Sequence, residues 1–129
     1  MKLLLDTHIW LWSLGEPARL GGRVRQELQD EGNELWLSPV SVWEAFLLNA
    51  KGRIRIRGEL AGWLAGATAH LREAPLTHEI VLAAQQLPLA HPDPADRFLA
   101  ASARVLGLTL VTADERLLGL GEIATLANR

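Results

Sequence analysis

The chain has 129 residues, 49% of them hydrophobic, a formal net charge of −2 and no cysteine. That composition suits one packed domain and not a disordered chain, and it rules out disulfides, thiolate metal sites and cysteine nucleophiles. The charge is wrong for a protein that grips nucleic acid by bulk positive potential, and no stretch is apolar for long enough to span a membrane.

Met1 to Leu5 starts like a secretory leader, but the apolar run stops at Asp6, so a soluble cytoplasmic protein is expected. Lys2–Leu5 is predicted as a short buried strand. A helix follows over Thr7–Leu14 and breaks at Gly15-Glu16-Pro17. Gly22–Asp30 carries Val24 and Leu28 at helical spacing, and Gly32-Asn33 ends it. Glu34–Leu37 is a second strand. Ser38 and Pro39 supply an N-cap and a first turn for a helix reaching about Ala50. A helix over Gly58–Leu71, a short strand over Arg72–Leu76 and a helix from His78 to Leu87 capped by Thr77 come next. Pro88–Pro92 is a loop. Asp93-Pro94 starts a helix that runs to Gly107, Leu108–Val111 is a strand, Asp114–Leu118 a short helix and Ile123–Leu126 a last strand. Strands alternating with helices imply an α/β fold, a three-layer α/β/α sandwich with a mainly parallel sheet over residues 1–129.

Such sheets bind ligands at the carboxyl ends of their strands. Asp6 directly follows the first strand and Asp114 closely follows the strand at 108–111. Each also suits a helix N-cap, and the two roles are compatible because a capping carboxylate keeps free lone pairs. Glu44 shares a helix face with Val40 and Leu48, near Trp43 and Leu47. A carboxylate on an apolar face needs an ion pair, a metal or a substrate to offset its burial. Asp96 occupies the acidic first-turn position behind Asp93 and Pro94, which a structural cap explains equally well. If the four acids converge, they repel one another unless a cation intervenes. Oxygen ligands without thiolates favour Mg²⁺ or Mn²⁺, and the chemistry they suit is phosphodiester hydrolysis. The histidines His8, His70, His78 and His91 form no close pair and are expected at the surface or in caps, with His91 a minor site candidate beside Asp96.

These blocks resemble the PIN domain family, in particular the VapC-type toxins of toxin–antitoxin pairs. The resemblance rests on Leu3-Leu4-Leu5-Asp6-Thr7-His8-Ile9-Trp10-Leu11-Trp12, Ser38-Pro39-Val40-Ser41-Val42-Trp43-Glu44, Asp93-Pro94-Ala95-Asp96-Arg97-Phe98-Leu99-Ala100-Ala101 and Leu108-Thr109-Leu110-Val111-Thr112-Ala113-Asp114, which occur in the family's order along nearly the whole chain. It implies a metal-dependent endoribonuclease in which Asp6, Glu44, Asp96 and Asp114 bind Mg²⁺ or Mn²⁺ and activate water. Thr7 and Thr112 would orient carboxylates or water, and Asp93 is an extra acid nearby. It further implies an RNA substrate, a homodimer and a small VapB-like antitoxin.

The segment 51–57 holds the one local basic run. In an extended chain Arg53, Arg55 and Arg57 share a face that can track RNA, with Ile54 and Ile56 on the other; an exposed segment pinned by its isoleucines is the plainer reading. Trp10 and Trp12 lie on a helix apolar nearly all round, either filling the core or meeting a second subunit or an antitoxin helix. Two other functions compete. A phosphorelay receiver needs an Asp ending a middle strand and a Lys after a late one, but the strand at 34–37 ends in Ser38-Pro39 and the lysines are Lys2 and Lys51. A catalytically inactive PIN-like binding module is opposed by the complete acidic set.

Overall fold

Leu3, Leu4 and Leu5 form a strand that is apolar on both faces, which suits only the middle of a covered sheet. The computed structural model describes residues 1–89 and 93–129 and places the segment there. Its strands are β1 (Lys2–Leu5), β2 (Glu34–Leu37), β3 (Arg72–Glu73), β4 (Thr109–Thr112) and β5 (Thr125–Ala127). They form a five-stranded sheet in the order β3-β2-β1-β4-β5, with every pairing parallel. The helices are α1 (Thr7–Gly15), α2 (Gly22–Gln29), α3 (Pro39–Ala50), α4 (Leu60–Ala67), α5 (His78–Gln86), α6 (Pro94–Leu106) and α7 (Glu115–Leu118).

The strand alternation sorts two cores onto the two sheet faces. Leu4 and Leu110 pack with Ile80, Leu99 and Leu117 from α5, α6 and α7. Leu3, Leu5 and Val111 pack with Ile9, Trp10, Val24 and Ala45 from α1, α2 and α3. The expected three-layer α/β/α sandwich is therefore present, and its sheet is wholly parallel. Because β1 is followed in space by β2 on one side and β4 on the other, the topology reverses between β1 and β4. Ligand crevices form outside the carboxyl ends of strands at such a point. Among the described residues, no helix is long and apolar enough to cross a membrane.

Several expected boundaries move. The helix expected over 58–71 is only Leu60–Ala67, with Thr68 as its C-cap. Gly58 has φ +77, a left-handed backbone that cannot start a helix. The strand expected over 72–76 is reduced to Arg72–Glu73, while 109–112 and 125–127 each lie one or two residues later than expected. Pro17–Arg19 adds a 3₁₀ turn that the helix-breaking signal concealed. Part of the loop expected over 88–92 lies outside the described residues.

Of the two readings open for the tryptophans, Trp10 takes the core one. Trp10 is 1% exposed, and its indole Nε1 donates to the Ala67 carbonyl at 3.0 Å. It ties α1 to the end of α4. Trp12 stays half-buried.

Candidate active site

Asp6 ends β1 and begins α1. Its extended backbone lets Oδ1 accept from the Thr7 N–H at 2.8 Å, while its own N–H donates to the Val111 carbonyl at 3.0 Å. The carboxylate is thus both a helix cap and a fixed point at the topology reversal. Its second oxygen accepts from the Thr112 hydroxyl at 2.6 Å, and that hydroxyl in turn accepts from the Asp114 N–H at 3.0 Å. One threonine at the end of β4 therefore couples two acids 108 positions apart in sequence. Asp114 caps α7 through the Arg116 N–H at 2.9 Å and pairs with the Arg116 guanidinium at 3.4 Å.

Glu44 arrives from α3 on the face that holds Leu48, as expected, but Trp43 and Leu47 do not lie with it. Trp43 and Leu47 are exposed, at 63% and 41%, and the buried positions are Ser41 and Ala45. Residues 41, 44, 45 and 48 share a helical face, and the small side chains at 41 and 45 let α3 lie close to α1. Glu44 rides in with them. The Thr7 hydroxyl donates to Glu44 Oε1 and lies 2.8 Å from Ser41 Oγ. Asp96 sits in the first turn of α6, capped by Asp93, whose Oδ1 accepts from the Ala95 N–H at 3.0 Å. Neighbouring Arg97 turns away and donates to the Ala84 carbonyl of α5 and to the Leu87 carbonyl just after it, both at 3.2 Å.

Asp6, Glu44, Asp93, Asp96 and Asp114 line one cleft of about 340 Å³, together with Thr7, His8, Trp12 and Arg116. Burial raises the Asp6 carboxyl above its ordinary range, helped by Asp114 and opposed by the Thr112 hydroxyl, the Thr7 N–H and His8. Burial also raises Glu44, with Asp93 and Asp6 adding to the shift and Thr7 and His8 opposing it. Asp96 goes furthest, to about 7, through burial and then the charges of Asp93, Asp6, Asp114 and Glu44. Like charges forced together in this way hold protons until a cation relieves them.

Among the described residues, no three acidic or histidine side chains stand close enough to hold an ion by themselves. Mg²⁺ needs only one or two carboxylates when water and phosphate oxygens complete its shell. The all-oxygen, mutually repelling donor set fits a hard divalent ion bound in that open manner.

His8, Ile9, Trp12, Ala113 and Arg116 also line the cleft, and none of them is among the expected site residues. His8 had a usable signal: it lies one residue past Thr7, on the first turn of the helix that Asp6 caps. The basic run is irregular rather than a strand, yet its alternation survives. Arg53, Arg55 and Arg57 are exposed, and Ile54 and Ile56 are half-buried. The Asn49 side-chain oxygen accepts from the Ile56 N–H at 2.9 Å and pins the segment to α3. Arg53 and Arg55 border a groove beside α1, which Arg57 does not reach. His91 lies outside the described residues.

Residues 3–123 match the PIN domain family. The chain is 34% identical over 116 residues to ribonuclease VapC22 of Mycobacterium tuberculosis, covering 89% of this chain and 88% of that one. Its fold is similar to that of the DNA-bound VapBC of Salmonella typhimurium, with a TM-score of 0.76, 17% identity, and 100% and 99% of the two chains covered. It is also similar to a toxin–antitoxin complex from Klebsiella pneumoniae, with a TM-score of 0.68, 16% identity and 98% of each chain covered. A sheet that reverses at an acidic cleft and a sequence match along nearly the whole chain lead to one assignment: the chain belongs to the PIN domain family.

Proposed function

We infer that this protein is a metal-dependent endoribonuclease of the VapC kind, the toxin of a toxin–antitoxin pair, acting on RNA in the cytoplasm. The observation that carries the reading is the convergence of Asp6, Glu44, Asp96 and Asp114, from four separate segments, on one cleft at the reversal of a parallel sheet. The 34% identity to a VapC ribonuclease supports the activity. The catalytic and metal-binding residues in this reading are those four acids, and the ion is Mg²⁺ or Mn²⁺. Such an ion, when bound, supplies charge neutralisation at the phosphate and a lowered pKa for the attacking water.

The chain's own residues do the rest. Thr112 and the Thr7 N–H fix both oxygens of Asp6 in orientation. Thr7 fixes Glu44. Asp93 starts α6 and so sets Asp96 at the mouth of its first turn. Arg53 and Arg55, with Arg57 further along, offer the positive charge that the molecule lacks overall and suit phosphate contacts. The exposed apolar side chains Trp43 and Leu47 on α3, and Val81 and Leu82 on α5, support a homodimer and a small VapB-like antitoxin as partners.

The test is cleavage of total cellular RNA by the purified protein with Mg²⁺ or Mn²⁺, with the cut sites mapped. Activity is expected to vanish in EDTA and to drop by about a hundredfold or more in Asp6→Asn, which keeps its fold. Full activity of Asp6→Asn, or of the wild type in EDTA, overturns the reading.

A further inference from the structure

The acidic cleft does not end at its carboxylates. His8 and Trp12 line it, and the same two side chains line a second groove of about 500 Å³ beside α1. The rings of His8 and Trp12 meet edge to face at 5.8 Å. The Arg19 guanidinium lies over the Trp12 ring at 4.3 Å, yet its side chain is still 56% exposed. Beyond Trp12 the groove is bordered by Arg53 and Arg55, with Glu16 the one acid on its edge, 3.6 Å from Arg19.

We propose that Trp12, edged by His8 and overlain by Arg19, is a stacking platform for a nucleobase next to the scissile phosphodiester, from which single-stranded RNA runs into the groove beside Arg53 and Arg55. The proposal rests on the ribonuclease reading and names the side chain that holds a base beside the cut. An indole carrying a guanidinium offers a broad, preorganised π and cationic surface, and bases stack on aromatic rings and on arginine planes alike. A base inside a duplex is already stacked and paired, so only an unpaired nucleotide reaches such a surface. Charge selects the same ligand: the molecule is acidic overall, but this groove presents Arg19, Arg53 and Arg55 against a single glutamate. A polyanion entering the groove meets counter-charge up to the point where the cleft carboxylates begin.

The experiment uses an end-labelled single-stranded oligonucleotide spanning a mapped cut site, and moves one abasic unit through the positions flanking the cut. In the wild type, one flanking position is expected to raise KM about tenfold when its base is removed. Trp12→Leu, which keeps apolar bulk but has no ring, is expected to raise KM about tenfold on the intact strand and to be indifferent to the abasic unit at that position. Trp12→Phe is expected to recover most of the loss, and a duplex of the same sequence to be a poor substrate. If Trp12→Leu does not fold, Trp12→Met, equally without a ring, carries the same walk. Equal sensitivity to the abasic unit in wild type and variant overturns the platform. So does a variant that cuts normally but no longer captures a co-encoded antitoxin, which assigns the surface to a protein segment. A wild type that cuts no RNA with metal present removes the ribonuclease reading first, and the platform with it.

Discussion

Replacing Asp96 by Asn tests whether the cleft stores electrostatic strain. In the folded protein the Asp96 carboxyl is pushed up to about 7 from 3.8. Between about pH 4 and pH 7 the folded state therefore holds a proton that the unfolded chain releases. Stability is full below the unfolded value and falls as pH rises through that window. Taken without discount, the shift corresponds to about 4 kcal/mol. The cleft is open to solvent, so screening leaves about 1–2 kcal/mol. Asp96 also gains up to about 1 kcal/mol as a first-turn acid of α6, which the amide loses. Urea melts of the metal-free protein are expected to show Asp96→Asn more stable than wild type by about 1 kcal/mol at pH 8, or about 4 °C in Tm. The two should be equal, or the variant slightly weaker, near pH 4. Saturating Mg²⁺ should reverse the order at pH 8, since a ligand at a hundredfold its Kd adds about 2.7 kcal/mol to the protein that binds it. Parallel pH profiles for wild type and Asn variant would refute the argument that crowding and burial at this carboxyl oppose folding.

Double charge reversal of Arg53 and Arg55 to Glu should weaken RNA binding by about tenfold or more and flatten its salt dependence, with an unchanged melting curve; unchanged affinity by fluorescence anisotropy removes the basic run from the site. Trp10→Ala should cost about 3–5 kcal/mol by chemical denaturation, because it empties a fully buried site and orphans the Ala67 carbonyl. A cost under about 1 kcal/mol contradicts the placement of Trp10 in the core.

What the sequence disclosed was mostly local. Ser38-Pro39 and Asp93-Pro94 mark helix starts through the chemistry of one turn, and both helices begin there. The leucine runs announce buried strands without needing a partner. The inward face of Glu44 is legible from its spacing to Val40 and Leu48, but not from Trp43 and Leu47. Trp43 and Leu47 are apolar and exposed, while Ser41 and Ala45 turn inward because α1 comes close, a fact that belongs to packing and not to hydropathy. His8 and Trp12 escaped for the same reason: their place in the cleft depends on α1 meeting residues from α3, α6 and the end of β4. The sheet order was equally hidden, since nothing local to Thr109–Thr112 says that it joins the first strand instead of the third.

The Thr112 hydroxyl that links Asp6 to Asp114 has a consequence for synthesis of the protein. Asp6 and Thr112 stand 106 positions apart, so the cleft closes only after the whole stretch between them has been made. Until β4 leaves the exit tunnel and slots beside β1, the nascent chain carries scattered acids and no assembled centre. A chain that stops short of β4 therefore carries its acids without the hydroxyl that orders them.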